Sequence, residues 1–405
     1  MGCVHVSETK RKSLYEILHS VHPDRKAEIF KQGMTDLTIA ARWPQNAVLE
    51  LLPLCNLNCR MCYIRKSAEE TEKLGGIIRG EEWCAIADQC ISLGVLNFTF
   101  TGGECMLHPE FFSIYNHVYE QTPFITLMSN AGLITQEHIE LFKRRTPYML
   151  VITVYGGSRE TYGRLCGNAA AYDRVMEALK LLKANEIPFY IQMTVTKDNA
   201  EDVPAVMKLA DDLGVKFQYT DSLTSFGNAT EETTQEMSAD HAHVTELLQS
   251  FRPVNTPPIE ATATPEEIIA RRRIQGKPPR PGIRCNAARN TLVINWQGNM
   301  QPCTVMDAYQ ANVRNKELRE CWTEMVSWAD AQVVMPECYG CLFATKCVTC
   351  IAQHYNDTHN FSKPSPRLCW KRLHPEEAAA LEKEFEEKVK AAEADLRKKM
   401  SAIPE

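Results

Sequence analysis

Two groups of cysteines carry the chemistry that can be read from this chain. The first is tight: Cys55, Cys59 and Cys62 lie in the spacing C-x3-C-x2-C. Thiolates hold iron–sulfur clusters, and a four-iron cubane takes four of them. A loop that offers three, with no fourth nearby, leaves one iron free to bind a small molecule through its own donor atoms. The second group is spread out. Cys285 is followed by twelve residues, Gly298, four more and Cys303; then come Cys338, Cys341, Cys347, Cys350 and finally Cys369. Pairs of the form C-x2-C suit zinc as well as iron–sulfur clusters. A free cysteine is also often only a small buried hydrophobe.

The elements that must position these thiols follow from periodicity. Val48 to Leu52 is a short apolar run that reads as a buried strand, ends at Pro53 and delivers the chain directly to Cys55. Strands and helices then alternate. Helices are expected over Glu81–Leu93, Pro109–Glu120, Thr135–Arg145, Ala170–Ala184 and Glu201–Leu213, and strands over Val95–Thr101, Phe124–Met128, Met149–Tyr155, Phe189–Val195 and Val215–Tyr219. Gly94 and Gly214 stand where helices stop, and Thr135 where one starts. Alternating strands and helices imply a parallel sheet with right-handed crossovers. Six such units suit a partial (β/α)6 barrel, whose site lies at the C-terminal ends of the strands. The cysteine loop, Gly102-Gly103-Glu104 and Ser129-Asn130 all fall at such ends.

The triplet, its place after the first strand and the later Phe-Thr-Gly-Gly-Glu-Cys together resemble the radical S-adenosylmethionine (SAM) enzymes. The resemblance implies a (β/α)6 partial barrel and a [4Fe–4S] cluster held by Cys55, Cys59 and Cys62. The open iron of that cluster would bind the amino and carboxylate groups of SAM. Reductive cleavage of SAM would then give a 5′-deoxyadenosyl radical that takes a hydrogen from substrate, chemistry that belongs to the cofactor. It further implies that Gly102, Gly103 and Glu104 meet the amino group of SAM. Ser129, Asn130 and Thr153 would contact its ribose and methionine, and Arg164 or Arg174 would pair with its carboxylate. Met61 stands where the family often has an aromatic residue, with Tyr63 following the last cysteine instead. Cys105 replaces the usual proline after Gly-Gly-Glu and reads as an inert filler, as Cys84, Cys90 and Cys321 read as helix packing.

The distal cysteines resemble the SPASM domain of peptide- and protein-modifying radical SAM enzymes, which holds two auxiliary [4Fe–4S] clusters. By that resemblance Cys285, Cys303 and Cys350 hold the first, and Cys338, Cys341, Cys347 and Cys369 the second. One interval departs from the family, since two residues rather than three separate Cys347 from Cys350. No cysteine occurs from Ser222 to Arg284, so the first auxiliary shell has three ligands in hand and reads as open, with Cys321 the competing fourth. The sulfatase-maturing branch has an aspartate base after the second SPASM cysteine; here that position is Thr304, with Asp307 close in sequence.

The chain has 405 residues, 44% hydrophobic, with net charge −6 and sixteen cysteines. That is enough for two domains, and nothing in the charge points to nucleic acid or an anionic membrane. No run is long enough to span a bilayer, and Met1 to Lys12 lacks the apolar core of a signal peptide. Val6 stands where N-myristoylation at Gly2 wants Ser or Thr. Many cysteines in a chain read as cytoplasmic favour metal ligation over disulfides. The expected organisation is an N-terminal extension, 1–45, with short helices at Ser13–Leu18 and Arg25–Lys31, too small for a leader-peptide-binding domain. The α/β barrel follows over 46–222, then a linker, 223–282, in which Arg271-Arg272-Arg273 reads as a solvated face. A small α+β SPASM domain, 283–372, and a charged C-terminal helix, 373–405, complete it. The resemblance implies a peptide or small-protein substrate, a flavodoxin or ferredoxin electron donor and a separate leader-binding protein. The expected product is a thioether or carbon–carbon crosslink. The alternatives are a sulfatase-type maturase, a small-molecule radical dehydrogenase, or a non-catalytic iron–sulfur scaffold.

Overall fold

The computed structural model describes residues 33–251, 264–274, 282–283, 285–339, 341–347 and 350–401. The helices expected at Ser13–Leu18 and Arg25–Lys31, together with Cys3, lie outside them. Nine strands form one sheet: β1 (Asn46–Glu50), β2 (Asn97–Thr101), β3 (Ile125–Ser129), β4 (Met149–Thr153), β5 (Phe189–Thr194), β6 (Phe217–Thr220), β7 (Thr291–Ile294), β8 (Asn299–Gln301) and β9 (Ala311–Asn312). The order is β6-β5-β4-β3-β2-β1-β7-β8-β9. β1 to β6 are parallel throughout, and β6 and β9 are left as edges, so the barrel is partial. The sheet does not stop where the cysteine-rich region begins. β7 pairs parallel with β1, Val48 beside Val293, and β8 and β9 continue antiparallel. The hairpin of the distal cysteine region therefore extends the barrel wall.

Because side chains alternate along a strand, the sheet has two faces of different character. Leu49, Phe98, Phe100, Ile125, Leu127, Leu150, Ile152 and Ile191 are fully buried and share one core with Trp83, Ile114 and Phe142 of the covering helices. Burying side chains of this size contributes roughly 1.5–3 kcal/mol each. The opposite face carries Thr99, Thr101, Thr126, Thr153, Gln192 and Thr194, which are only half-buried. Closed barrels fill this interior with bulky aliphatic residues. Here it is polar and open, which leaves room for a ligand.

Most expected helices stand where periodicity put them, Gly80–Leu93 and Ala171–Ala184 among them. Gly94 ends the first of these at φ 108°, a conformation that residues with a Cβ rarely adopt. Two short helices were not anticipated, Ala68–Lys73 and Arg159–Cys166. Both are short on apolar periodicity and begin from serine caps, Ser67 and Ser158. Between the barrel and β7 lie the helices Glu231–Met237, His241–Ser250 and Pro265–Ile274. The last packs on the C-terminal helix Pro375–Ser401 around Ile269, Phe343 and Val389. Arg273 is committed there: it forks onto Glu386 at 2.8 and 2.9 Å. At least that member of the arginine run is therefore an interhelix tie.

Candidate active site

The loop carrying Cys55, Cys59 and Cys62 is fixed from two sides. On one side it is laced to the end of β2: Gly103 N donates to Leu52 O at 2.7 Å and Glu104 N to Leu54 O at 2.9 Å. A Cβ on Gly102 would lie 2.4 Å from Leu52 O, and one on Gly103 would lie 2.1 Å from Leu54 O. The double glycine is thus demanded by backbone meeting backbone. On the other side Asn58 N donates to Cys166 O and Arg60 N to Leu165 O, at 2.9 and 3.1 Å.

Glu104 is buried, and its carboxylate is occupied. Ser129 Oγ donates to both oxygens at 2.9 and 3.0 Å, Asn130 N at 2.8 Å and Met106 N at 3.3 Å. Burial pushes its carboxyl above the usual range, against the pull of those donors. Asn130 Nδ2 reaches Asn56 Oδ1 at 2.9 Å and Cys55 Sγ at 3.6 Å. Glu104, Ser129 and Asn130 therefore form a strut that ties the ends of β2 and β3 to the cysteine loop. Thr153 ends β4 on the polar inner face, beside Gln192. Arg164 is half-exposed and donates to Asp198 O at 2.7 Å; Arg174 is exposed on its helix.

Burial pushes the Cys55 thiol up to about 12 and raises that of Cys62. Cys59 moves down, first because of a hydrogen bond from Cys166 and then one from Tyr155. Arg65 adds positive potential at Cys59 and Cys62, and its Nε is buried without a hydrogen-bond partner. Metal ligation takes thiolates, so loading such a site releases protons. Sequence reasoning missed Cys166 and Arg65. Cys166 comes next to the loop through an unanticipated helix, but Arg65 lies three residues past Cys62 and was open to inspection.

The distal thiols sort into two groups by mutual influence. Burial raises Cys285 and Cys303, and Cys303 and Cys350 each add to the rise at Cys285. Burial likewise pushes Cys338 up to about 11, with Cys341, Cys369 and Cys347 contributing. Cys321 joins neither group; it is fully buried on the helix Leu318–Asp330 and feels Lys316, Glu324 and Glu320. A cleft of about 1030 Å³ opens at Cys338, Cys341 and Cys369, rimmed by Arg273, Lys371 and Arg372. Among the described residues no three such side chains converge tightly enough for a single metal ion. The donor set, thiols in separate groups, fits clusters.

Glu50, the last residue of β1, was also missed. It is buried, and burial pushes its carboxyl up to about 8 against a hydrogen bond from Tyr63, whose Oη donates to Glu50 Oε1 at 3.2 Å. Its signal was present: one acid inside the apolar run Val48-Leu49-Glu50-Leu51-Leu52.

No helix among the described residues is long and apolar enough to cross a membrane. Residues 49–210 match the family model of the radical SAM superfamily. An AdoMet-dependent heme synthase of Methanosarcina barkeri is 22% identical over 80% of this chain and 95% of its own length. The subtilosin biosynthesis protein AlbA of Bacillus subtilis is 25% identical over 65% of this chain and 55% of its own. Streptococcus suis SuiB bound to S-adenosylmethionine superposes with TM-score 0.61 at 16% identity, covering 90% of this chain and 87% of that one; SuiB is also solved with the precursor peptide SuiA. With the triplet loop, the glycine-laced strand ends and the parallel partial barrel, residues 49–210 form a radical SAM domain, the part of this enzyme that uses a [4Fe–4S] cluster and S-adenosylmethionine.

Proposed function

We propose that this enzyme installs a radical-dependent crosslink in a ribosomally made peptide, with a thioether as the favoured bond. The observation that carries this is the distal thiol set. Cys285, Cys303 and Cys350 form a group of three, while Cys321 is packed in the core elsewhere. A cluster held by three cysteines keeps a position for an external soft ligand, and a substrate thiolate suits it. A relative named for a bacteriocin and a structural neighbour solved with its precursor peptide support a peptide substrate.

In this reading Cys55, Cys59 and Cys62 hold the SAM-binding cluster, and Cys338, Cys341, Cys347 and Cys369 the second auxiliary one. The bound cofactors supply the radical that removes a substrate hydrogen. The chain does the rest. Thr153, Ser129 and Asn130 orient SAM at the strand ends. Gly102 and Gly103 hold backbone close, while Glu104 keeps those strand ends together. Arg65 joins Arg164 as a cation for the SAM carboxylate. The polar inner face of the barrel receives the reacting segment. A flavodoxin or ferredoxin donor, a separate leader-binding protein and a cytoplasmic location belong to the same proposal.

A second reading, oxidation of a small molecule, is favoured by one observation: the heme synthase similarity spans most of both chains. The test is anaerobic reconstitution with SAM and reductant, followed by mass spectrometry of candidate peptides and of porphyrin substrates. A peptide that loses two hydrogens without porphyrin turnover supports the first reading; porphyrin turnover alone overturns it.

A further inference from the structure

Glu50 is the only charged side chain in the nine strands of the sheet. Register places it beside Thr101, two residues beyond Val48 and Thr99, so it lies on the polar inner face at the C-terminal mouth. It is 3% exposed and makes no ion pair shorter than 4 Å among those described. A lone carboxylate in such a place is costly, and a glutamine would accept the Tyr63 hydrogen bond at lower cost.

Its surroundings say what it is beside. Tyr63 directly follows Cys62 of the radical-cluster loop. The Tyr63 hydroxyl also reaches the Thr304 side chain, which directly follows Cys303 of the first distal group. The charge on Glu50 is felt at Cys303. Tyr63 is itself fixed: Asn228 N donates to its carbonyl at 2.9 Å, and Phe226 packs on its ring at 5.8 Å. Glu50 and Tyr63 are thus hydrogen-bonded to each other with Thr304 close by, so residues that follow Cys62 and Cys303 meet at Glu50.

We propose that Glu50, standing between the two cluster loops, is the acceptor of the substrate thiol's proton. This deepens the function proposed above and rests on it. A substrate thiol would take the open position as its thiolate, so its S–H bond breaks on binding and one proton leaves; when the carbon radical then joins that sulfur, the C–S bond forms and one electron leaves. The electron has a destination in the oxidised cluster proposed at Cys285, Cys303 and Cys350. The proton needs a base inside the barrel, and Glu50 is the one carboxylate the strands place there. Among titratable groups, Tyr63 hydrogen-bonds Glu50 and Cys303 feels its charge. A carboxyl that releases its proton near neutral pH can take one up and return it to solvent within a catalytic cycle.

The experiment uses the reconstituted enzyme and the Glu50→Gln variant, which keeps the shape and the Tyr63 hydrogen bond. Infrared difference spectra across pH 6 to about 10 should show a carboxylic-acid carbonyl band that fades as pH rises through about 8 and is missing from Glu50→Gln. With peptide and SAM, Glu50→Gln should still form 5′-deoxyadenosine, while crosslinked product falls roughly 100-fold. Glu50→Asp should recover part of it. Equal product from wild type and Glu50→Gln, or no assignable acid band, overturns the proposal. A wild-type enzyme that cleaves SAM but never changes the peptide overturns the functional reading instead, and the infrared band then decides Glu50 alone. Should Glu50→Gln not fold, Tyr63→Phe must shift the wild-type band, because it removes the hydrogen bond to the carboxyl; an unmoved band overturns the arrangement.

Discussion

The two thiol-bearing regions of this molecule are held by opposite means. Cys55, Cys59 and Cys62 occupy one short loop whose flanks are laced into strand ends, with Leu51, Leu52 and Leu57 buried around it. The distal seven are scattered between residues 285 and 369, on short turns with few strands, and Cys350 reaches the surface. The first region is positioned by a core that exists without metal. The second has a small core of its own around Phe343 and Val389, and under the proposed function it would gain further order from the clusters its thiols hold, as small metal-bound regions do. Position in the first is a property of the barrel; in the second, under the proposed function, it is shared with the clusters.

The sharpest way to break that contrast is to empty the first loop. Changing Cys55, Cys59 and Cys62 together to alanine should remove about four irons, one cubane, and abolish 5′-deoxyadenosine formation, with little change in melting temperature. Turnover by that variant would end the assignment of the loop. Emptying the second region should do the reverse. With Cys338, Cys341, Cys347 and Cys369 changed to alanine, amide exchange across 336–373 should accelerate strongly while exchange in β1 to β5 stays slow.

A backbone change should strike the first region without touching a thiol. Gly103→Ala forces a Cβ to 2.1 Å from Leu54 O and should cost about 3 kcal/mol or more, beyond ordinary overpacking, read by denaturant unfolding. The Glu50 carboxyl sharpens the comparison through pH. Its folded value is raised to about 8 from 4.5, so its neutral form favours the fold. The stability it contributes is fully present below about pH 4.5 and is lost as pH rises to about 8. Wild type should lose stability relative to Glu50→Gln over that window, by up to a few kcal/mol. The smallest effect belongs to Cys321→Ala. It should cost about 1 kcal/mol of packing and leave iron content unchanged, since its thiol lies apart from both distal groups; a lost iron would close the three-cysteine shell.

Much of this was legible in the residues. The C-x3-C-x2-C spacing placed three thiols in one loop, because that is a local count. Apolar runs of period two and stripes of period 3.6 determined the alternating elements, and Gly94 and Gly214 marked where helices end. The tertiary structure alone decided what is non-local. It joined β7 to β1 and so brought the distal hairpin against the barrel wall. It sorted seven thiols into groups that sequence could pair only by resemblance. It gave Gly102-Gly103 a backbone reason and occupied Glu104 with Ser129 and Asn130. It also brought Glu50, Tyr63 and Thr304 together, because their meeting depends on how strands from distant parts of the sequence lie side by side, and no spacing records that.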